Sequence, residues 1–237
     1  MIAVAKQSAA KARRFSSRTS KANTLKAATI SQIEVARRLS HEIRNPLAGI
    51  KAALEVLKGT ESLSPQGHEV LGEVGDEIEQ IDRVLKQFID FSICPKPQPE
   101  TFSLDAMVES VFDQLRQKPA GFTVRVAAPV ALQVSADISM VQRVLAELFQ
   151  NGIDAGADLV TVDGRAEKGN VVIQVSNSGA PLEQEIADHI FEPFFSTKAG
   201  RTGLGLAIAQ RWLAVMEGSL RLLPAGNGFE IRLPRGK

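Results

Sequence analysis

Ser40-His41-Glu42-Ile43-Arg44-Asn45-Pro46-Leu47 lies on an apolar stripe. Ile43, Leu47, Ile50, Leu54 and Leu57 succeed one another at intervals of four, three, four and three, and running backward the stripe takes in Ser40, Ala36 and Ile33. That period is the seam of a long helix packed on other helices, predicted from about Ala27 to Leu57. A second stripe, Leu71, Val74, Ile78, Ile81, Leu85 and Phe88, follows the same rhythm. Gly59 through Gly67, holding Ser64-Pro65, reads as the turn between them, with His68 in the loop. Two striped helices on a short connection make an antiparallel helical hairpin. One hairpin is too thin to hide both seams, so two chains are expected to pair as a four-helix bundle.

Ser40 falls on the seam, so His41 lies one helical step (~100°) away, beside the bundle core and open to solvent. An imidazole nitrogen is a competent nucleophile. Glu42 is adjacent and can orient the ring or take its proton. Asn45 is one turn on, on the same face, where a neutral amide can hold a water in line with a modified imidazole. Pro46 deletes a helix hydrogen bond near His41 and favours a bend. A histidine in this company suits the uptake and release of a phosphoryl group. His68 and His189 have no such neighbours.

The chain has 237 residues and a net charge of +1, so it has no overall electrostatic preference for nucleic acid or membrane. No apolar run approaches the ~18 residues of a membrane span. Residues 1–26 carry Lys6, Lys11, Arg13, Arg14, Arg18, Lys21 and Lys26 and no acid, which reads as a basic tail or the start of a signalling helix. The single Cys94 excludes an intramolecular disulfide and fits a reducing cytoplasm. Tyrosine is absent and tryptophan occurs once, which argues against an aromatic nucleic-acid platform.

Cys94-Pro95-Lys96-Pro97-Gln98-Pro99 ends the helical region, because three prolines in five positions cannot continue a helix. The domain reading is therefore a hairpin over 27–94, a linker over 95–100 and a second domain over 101–237. In the second domain the pattern predicts a helix over Leu104–Gln117, entered through Phe102-Ser103. Short strands follow over Phe122–Val126 and Leu132–Val134, then an amphipathic helix over Ile138–Ala155. Strands over Leu159–Asp163 and Val171–Val175, a helix from about Gly205 to Met216, and a closing hairpin of Ser219–Leu223 and Phe229–Leu233 complete an α+β two-layer sandwich.

Three clusters in that domain suit a nucleotide. Glu147, Asn151 and Asp154, in Glu147-Leu148-Phe149-Gln150-Asn151-Gly152-Ile153-Asp154-Ala155, share one helix face, and a carboxamide there can hold a hydrated Mg²⁺. Asn177-Ser178-Gly179 follows a strand and offers a polar edge to a base. Thr202-Gly203-Leu204-Gly205-Leu206 opens a helix, where glycines let backbone N–H groups approach phosphate oxygens. Between the last two, Phe191-Glu192-Pro193-Phe194-Phe195 can anchor a lid, and Thr197, Lys198 and Arg201 can reach phosphates. A Walker-type phosphate loop and the protein-kinase motif set are absent.

Together these residues resemble a two-component sensor histidine kinase. Residues 40–47 look like the family's H box, 147–155 its N box, 177–179 its G1 box, 191–195 its F box and 203–206 its G2 box. The resemblance implies a dimerisation and histidine-phosphotransfer hairpin, then a Bergerat-type ATP-binding domain. It implies His41 as phosphoacceptor, Glu42 as assisting acid/base and Asn45 as the residue for dephosphorylating a partner. It further implies Mg²⁺ at Asn151 with Glu147, the adenine at Asn177 and Gly179, and the phosphates at Gly203 and Gly205. Leu204, Leu206, Thr202, Phe195, Thr197, Lys198, Arg201 and Asp154 complete the ATP site. The implied partners are a second copy of the chain and the receiver domain of a response regulator. The signal is expected from a separate sensor protein or a missing N-terminal sensor domain.

The chain departs from the family pattern at three places. Asn177 stands in place of an Asp and Pro181 in place of a second Gly, while Glu147 stands where Asn is common. These departures keep two rival readings open: a pseudokinase phosphotransfer adaptor, and an ATPase switch of the Hsp90 or MutL type.

Overall fold

The computed structural model describes residues 38, 40–59, 63–115, 119–127, 132–198 and 201–235. It divides into two compact units, Met1–Ile93 and Cys94–Lys237. The predicted helical turns before residue 38 lie outside the described residues.

The first unit holds two helices, α1 through residues 40–58 and α2 over Pro65–Ser92. Ser64 caps α2: its Oγ accepts from Gly67 N at 3.1 Å, and Pro65 at the first helical position loses no bond it needs. His68 therefore lies in the first turn of α2 and not in the loop, because Ser64-Pro65 is a helix-start signal as much as a turn signal. Arg44 Nε binds Asp82 Oδ1 at 2.9 Å and Lys51 Nζ binds Glu79 Oε1 at 3.1 Å, which ties the antiparallel helices across their exposed edge.

The heptad stripe divides in two. Ser40 and Leu54 are buried and Leu47 half-buried, at intervals of seven. Ile43, Ile50 and Leu57, also seven apart, remain 40%, 49% and 48% exposed, so this half of the seam does not face the hairpin interior. On α2, Ile78 is buried, with Leu71 and Leu85 half-buried, while Val74 and Ile81 stay exposed.

The second unit is an α+β sandwich. Strands β2 (Thr123–Val126), β4 (Leu159–Glu167), β5 (Asn170–Asn177), β7 (Gly228–Pro234) and β6 (Ser219–Leu222) form one sheet in the order β2-β4-β5-β7-β6. The β2–β4 pair is parallel and the other pairs are antiparallel. A separate antiparallel pair joins β1 (Glu100–Ser103) to β3 (Gln133–Ala136). β1 lies in a segment assigned from sequence to the linker and the approach to a helix: Pro97 and Pro99 mask a short strand that has one neighbour only.

Helices α3 (Leu104–Gln114), α4 (Ile138–Asp154) and α6 (Gly205–Val215) supply the other layer; α5 (Gln184–Ala187) is one turn. α3 stops at Gln114, short of the predicted Gln117: Leu115 is already extended, and residues 116–118 are not described. Val160, Val162, Ile173, Val175, Phe229, Ile231 and Leu233 face the helices, which return Val144, Leu145, Leu148, Phe149, Ala207, Ile208, Trp212 and Leu213, all buried. Alternation along the strands leaves Arg165, Glu230 and Arg232 on the opposite face, linked as ion pairs. Asp137 caps α4, accepting from Met140 N at 3.1 Å and, from outside the helix, from Gln98 N at 2.9 Å.

Candidate nucleotide site and phosphoacceptor helix

The second half of α4, the end of β5, the segment 190–203 and the start of α6 converge because small residues let them approach. A Cβ on Gly152 would stand 3.0 Å from Val160 Cγ2 and 3.3 Å from Asn177 Cβ, so α4 lies directly against β4 and the end of β5. A Cβ on Gly179 would lie 2.6 Å from Ala155 O, so the turn after β5 presses on the end of α4. Gly203 has φ +67°, and a side chain there would overlap the backbone of Phe194 and Phe195. Its carbonyl accepts from Phe194 N at 3.1 Å, which fastens the start of the segment to its end.

Glu147 reaches from α4 to Gly205, whose missing side chain makes room for the carboxyl group. Burial pushes that carboxyl above the ordinary range and the Asp154 charge adds to the rise, against the opposing pull of Arg201. Asn151 Nδ2 is buried and has no hydrogen-bond partner among the described residues. A polar atom left so is what a bound polar group satisfies. Asp154 Oδ1 accepts from Gln150 Nε2 at 2.9 Å and from Arg201 Nη2 at 2.7 Å. Desolvation and the Arg201 charge push the nearby Lys198 ammonium down.

α6 begins at Gly205 with Leu204 as its cap residue, whose side chain makes no capping hydrogen bond. A helix start whose cap residue is apolar, with glycine at its mouth, can receive anionic oxygens. Leu204 is fully buried and anchors this turn, and Thr202 Oγ1 accepts from Leu204 N at 3.3 Å. Phe195 is half-buried, its ring centroid 5.6 Å from that of His189, while Phe191 packs edge-on against Phe229 at 6.3 Å. His189 Nδ1 and Glu192 Oε1 are 2.8 Å apart. Thr197 and Lys198 are exposed and Leu206 is half-buried.

At the base end, Asn177 Oδ1 accepts from Gly179 N at 2.9 Å. Ser178 Oγ accepts from Asp158 N at 3.2 Å and Leu159 N at 3.1 Å. Sequence reasoning missed Asn227. Its carbonyl accepts from Asn177 N at 2.9 Å, and its Nδ2 donates to Asn177 O at 3.3 Å. The Gly226-Asn227-Gly228 signal was visible, but only as a hairpin turn.

In the first unit, His41, Glu42 and Asn45 are all exposed along α1, and Ser40 beside them is 1% exposed. Two family models match the chain. Residues 31–93 match the His Kinase A (phospho-acceptor) domain, and residues 136–237 match the histidine kinase-, DNA gyrase B- and HSP90-like ATPase domain. The chain belongs to the two-component sensor histidine kinase family.

Among sensor histidine kinase relatives, the chain is 30% identical to the signal transduction histidine-protein kinase AtoS of Escherichia coli, over 83% of this chain and 34% of AtoS. It is 27% identical to the sensory histidine kinase/phosphatase NtrB of Rhodobacter capsulatus, over 94% of this chain and 67% of NtrB. The chain thus spans about a third of AtoS and two thirds of NtrB. A solved structure of full-length ShkA in complex with AMPPNP matches 87% of this chain and 46% of ShkA with a TM-score of 0.75 at 20% identity, a likeness of fold. By the family model matched over residues 136–237, the second unit is an ATP-binding domain. No described helix is long and apolar enough to cross a membrane.

Proposed function

We propose that this chain is an ATP-dependent protein-histidine autokinase that phosphorylates His41 and passes the group to an aspartate of a response regulator's receiver domain. The observation that carries this reading is the contrast between buried Ser40 and exposed His41, with Glu42 and Asn45 exposed on the same helix. The heptad holds the helix by its serine and presents its histidine.

In this reading the purine lies at Asn177 and Gly179, and the phosphates lie at Thr202, Gly203, Leu204, Gly205 and Leu206. Lys198 and Arg201 supply positive charge, with Thr197 and Phe195 on the lid side. Asn151, through its side-chain oxygen, and Glu147 would hold Mg²⁺, which would neutralise charge on the phosphate oxygens. An imidazole nitrogen of His41 attacks the γ-phosphorus, the bond to the β-phosphate oxygen breaks, and ADP leaves. Glu42 takes the ring proton. Positioning and charge stabilisation supply most of the rate.

Asn45 supports a second activity, dephosphorylation of the regulator, and the relative NtrB bears the name of a kinase and phosphatase. The exposed half of the α1 stripe supports a homodimer that closes a four-helix bundle. Such a kinase would work in a bacterial cytoplasm.

Incubation with γ-labelled ATP and Mg²⁺ tests the assignment. Acid-labile, base-stable label is expected on the protein and is lost in His41→Gln. Label that persists unchanged in His41→Gln refutes it.

A further inference from the structure

The base-facing residue of the site is a carboxamide, and the fold allows it little freedom. Its backbone N–H is bound to Asn227 O at 2.9 Å, and its backbone carbonyl accepts from Asn227 Nδ2 at 3.3 Å. Its Cβ lies against Gly152, where even a methyl group would stand only 3.3 Å away. Its Oδ1 accepts from Gly179 N at 2.9 Å. Four restraints from three segments hold one short side chain. No described residue accepts from its Nδ2.

The chemistry of that group differs from a carboxylate's. An ionised carboxylate only accepts hydrogen bonds. It matches the amino group at position 6 of adenine and repels the carbonyl at position 6 of hypoxanthine or guanine. A carboxamide offers both signs. Oδ1 keeps a second lone pair beside its bond to Gly179, and Nδ2 keeps two donor hydrogens. The pair can meet an amino group and ring N1 of a 6-aminopurine. With Oδ1 held by Gly179, a 6-oxopurine is met through Nδ2 alone, which donates to the carbonyl at position 6, and no oxygen is set against oxygen in either case.

We propose that the base end of this site takes 6-oxopurine nucleoside triphosphates as well as ATP. This rests on the reading of Asn177 as the base contact. Asn177 removes the repulsion that would exclude an oxygen at position 6, and Asn227 positions it so that its donor stays presented.

Calorimetric titration of the wild-type chain with Mg²⁺–ATP and Mg²⁺–ITP decides the point without any variant. Inosine is the cleaner probe because guanine adds an amino group at position 2. The two Kd values are expected within about tenfold of each other. Asn177→Asp is expected to tighten ATP and weaken ITP, so that their ratio widens by about tenfold or more. A wild-type preference for ATP above about a hundredfold overturns the inference. If Asn177→Asp still shifts that ratio, the base-contact reading survives the loss. If the variant alters neither affinity, both readings are overturned.

Discussion

One nitrogen of Arg201 reaches both carboxylate oxygens of Asp154: Nη2 lies 2.7 Å from Oδ1 and 2.6 Å from Oδ2. The guanidinium is thus occupied by a carboxylate at the rim of the turn proposed to bind phosphates. A nucleotide has to compete for it. Asp154→Asn is expected to tighten Mg²⁺–ATP binding several-fold, and Arg201→Ala to weaken it by about tenfold. The Arg201 side chain is 41% exposed, so solvent screening keeps the pair at the low end, about 1 kcal/mol. Calorimetric titration of both variants measures this. Weaker binding in Asp154→Asn would show the pair to be an organiser of the site and not a competitor for it.

Glu147 makes a prediction in pH. Its carboxyl is held above the ordinary value of 4.5, chiefly by burial. The folded domain therefore binds that proton more tightly than the unfolded chain does. Stability from this group is complete below the unfolded value and is lost as pH rises through the folded one. Glu147→Gln removes the loss. Its melting temperature, relative to wild type, is expected to rise between about pH 5 and pH 7. Parallel thermal melts at the two pH values check the sign.

Two neighbouring glycines are expected to respond differently to alanine. At Gly203 the backbone is left-handed and the new methyl meets the main chain of Phe194 and Phe195. The conformation alone costs about 1–2 kcal/mol, and the overlap adds to it. At Gly205 the methyl meets only the end of the Glu147 side chain, which can rotate away. Alanine also gains helix propensity of about 1 kcal/mol there. Denaturant unfolding should show Gly203→Ala as the more damaging by at least about 1 kcal/mol. Nucleotide titration should show Gly205→Ala impaired as well, because the displaced Glu147 carboxyl moves within the proposed phosphate site.

The divided stripe on α1 separates folding from pairing. Leu54→Ala, at a position 7% exposed, is expected to cost about 2–3 kcal/mol and to lower helix content on heating. Ile50→Asp, at a position 49% exposed, is expected to keep the helices and split the dimer. Circular dichroism and light scattering read the two effects separately. A dimer unaffected by Ile50→Asp would move the pairing face elsewhere.

Much of this molecule is written locally. The seam of α1 and the start signal at Ser64-Pro65 each act within a few residues, so pattern reading reaches them. Which half of a seam turns inward is different. Ile50 and Leu54 are both apolar members of one stripe, and only the position of α2 decides that Leu54 is covered and Ile50 is not. β1 carries no local signal because its partner β3 lies about 30 residues downstream and three prolines precede it. Asn227 holds Asn177 across 50 residues, and Arg201 holds Asp154 across 47. No period announces such contacts, because they exist only once β5 and β7 lie side by side and α4 approaches the lid segment.

The sevenfold alternation on α1 has a consequence for descent. Positions 43, 50 and 57 point away from the hairpin's own interior, while 40, 47 and 54 secure it. The outward set can drift as a group without unfolding the helix that carries it. In the proposed homodimer, the two products of a copied gene can therefore cease to recognise one another through a few surface exchanges. Each keeps its own hairpin intact, and two separate lines of communication emerge from one.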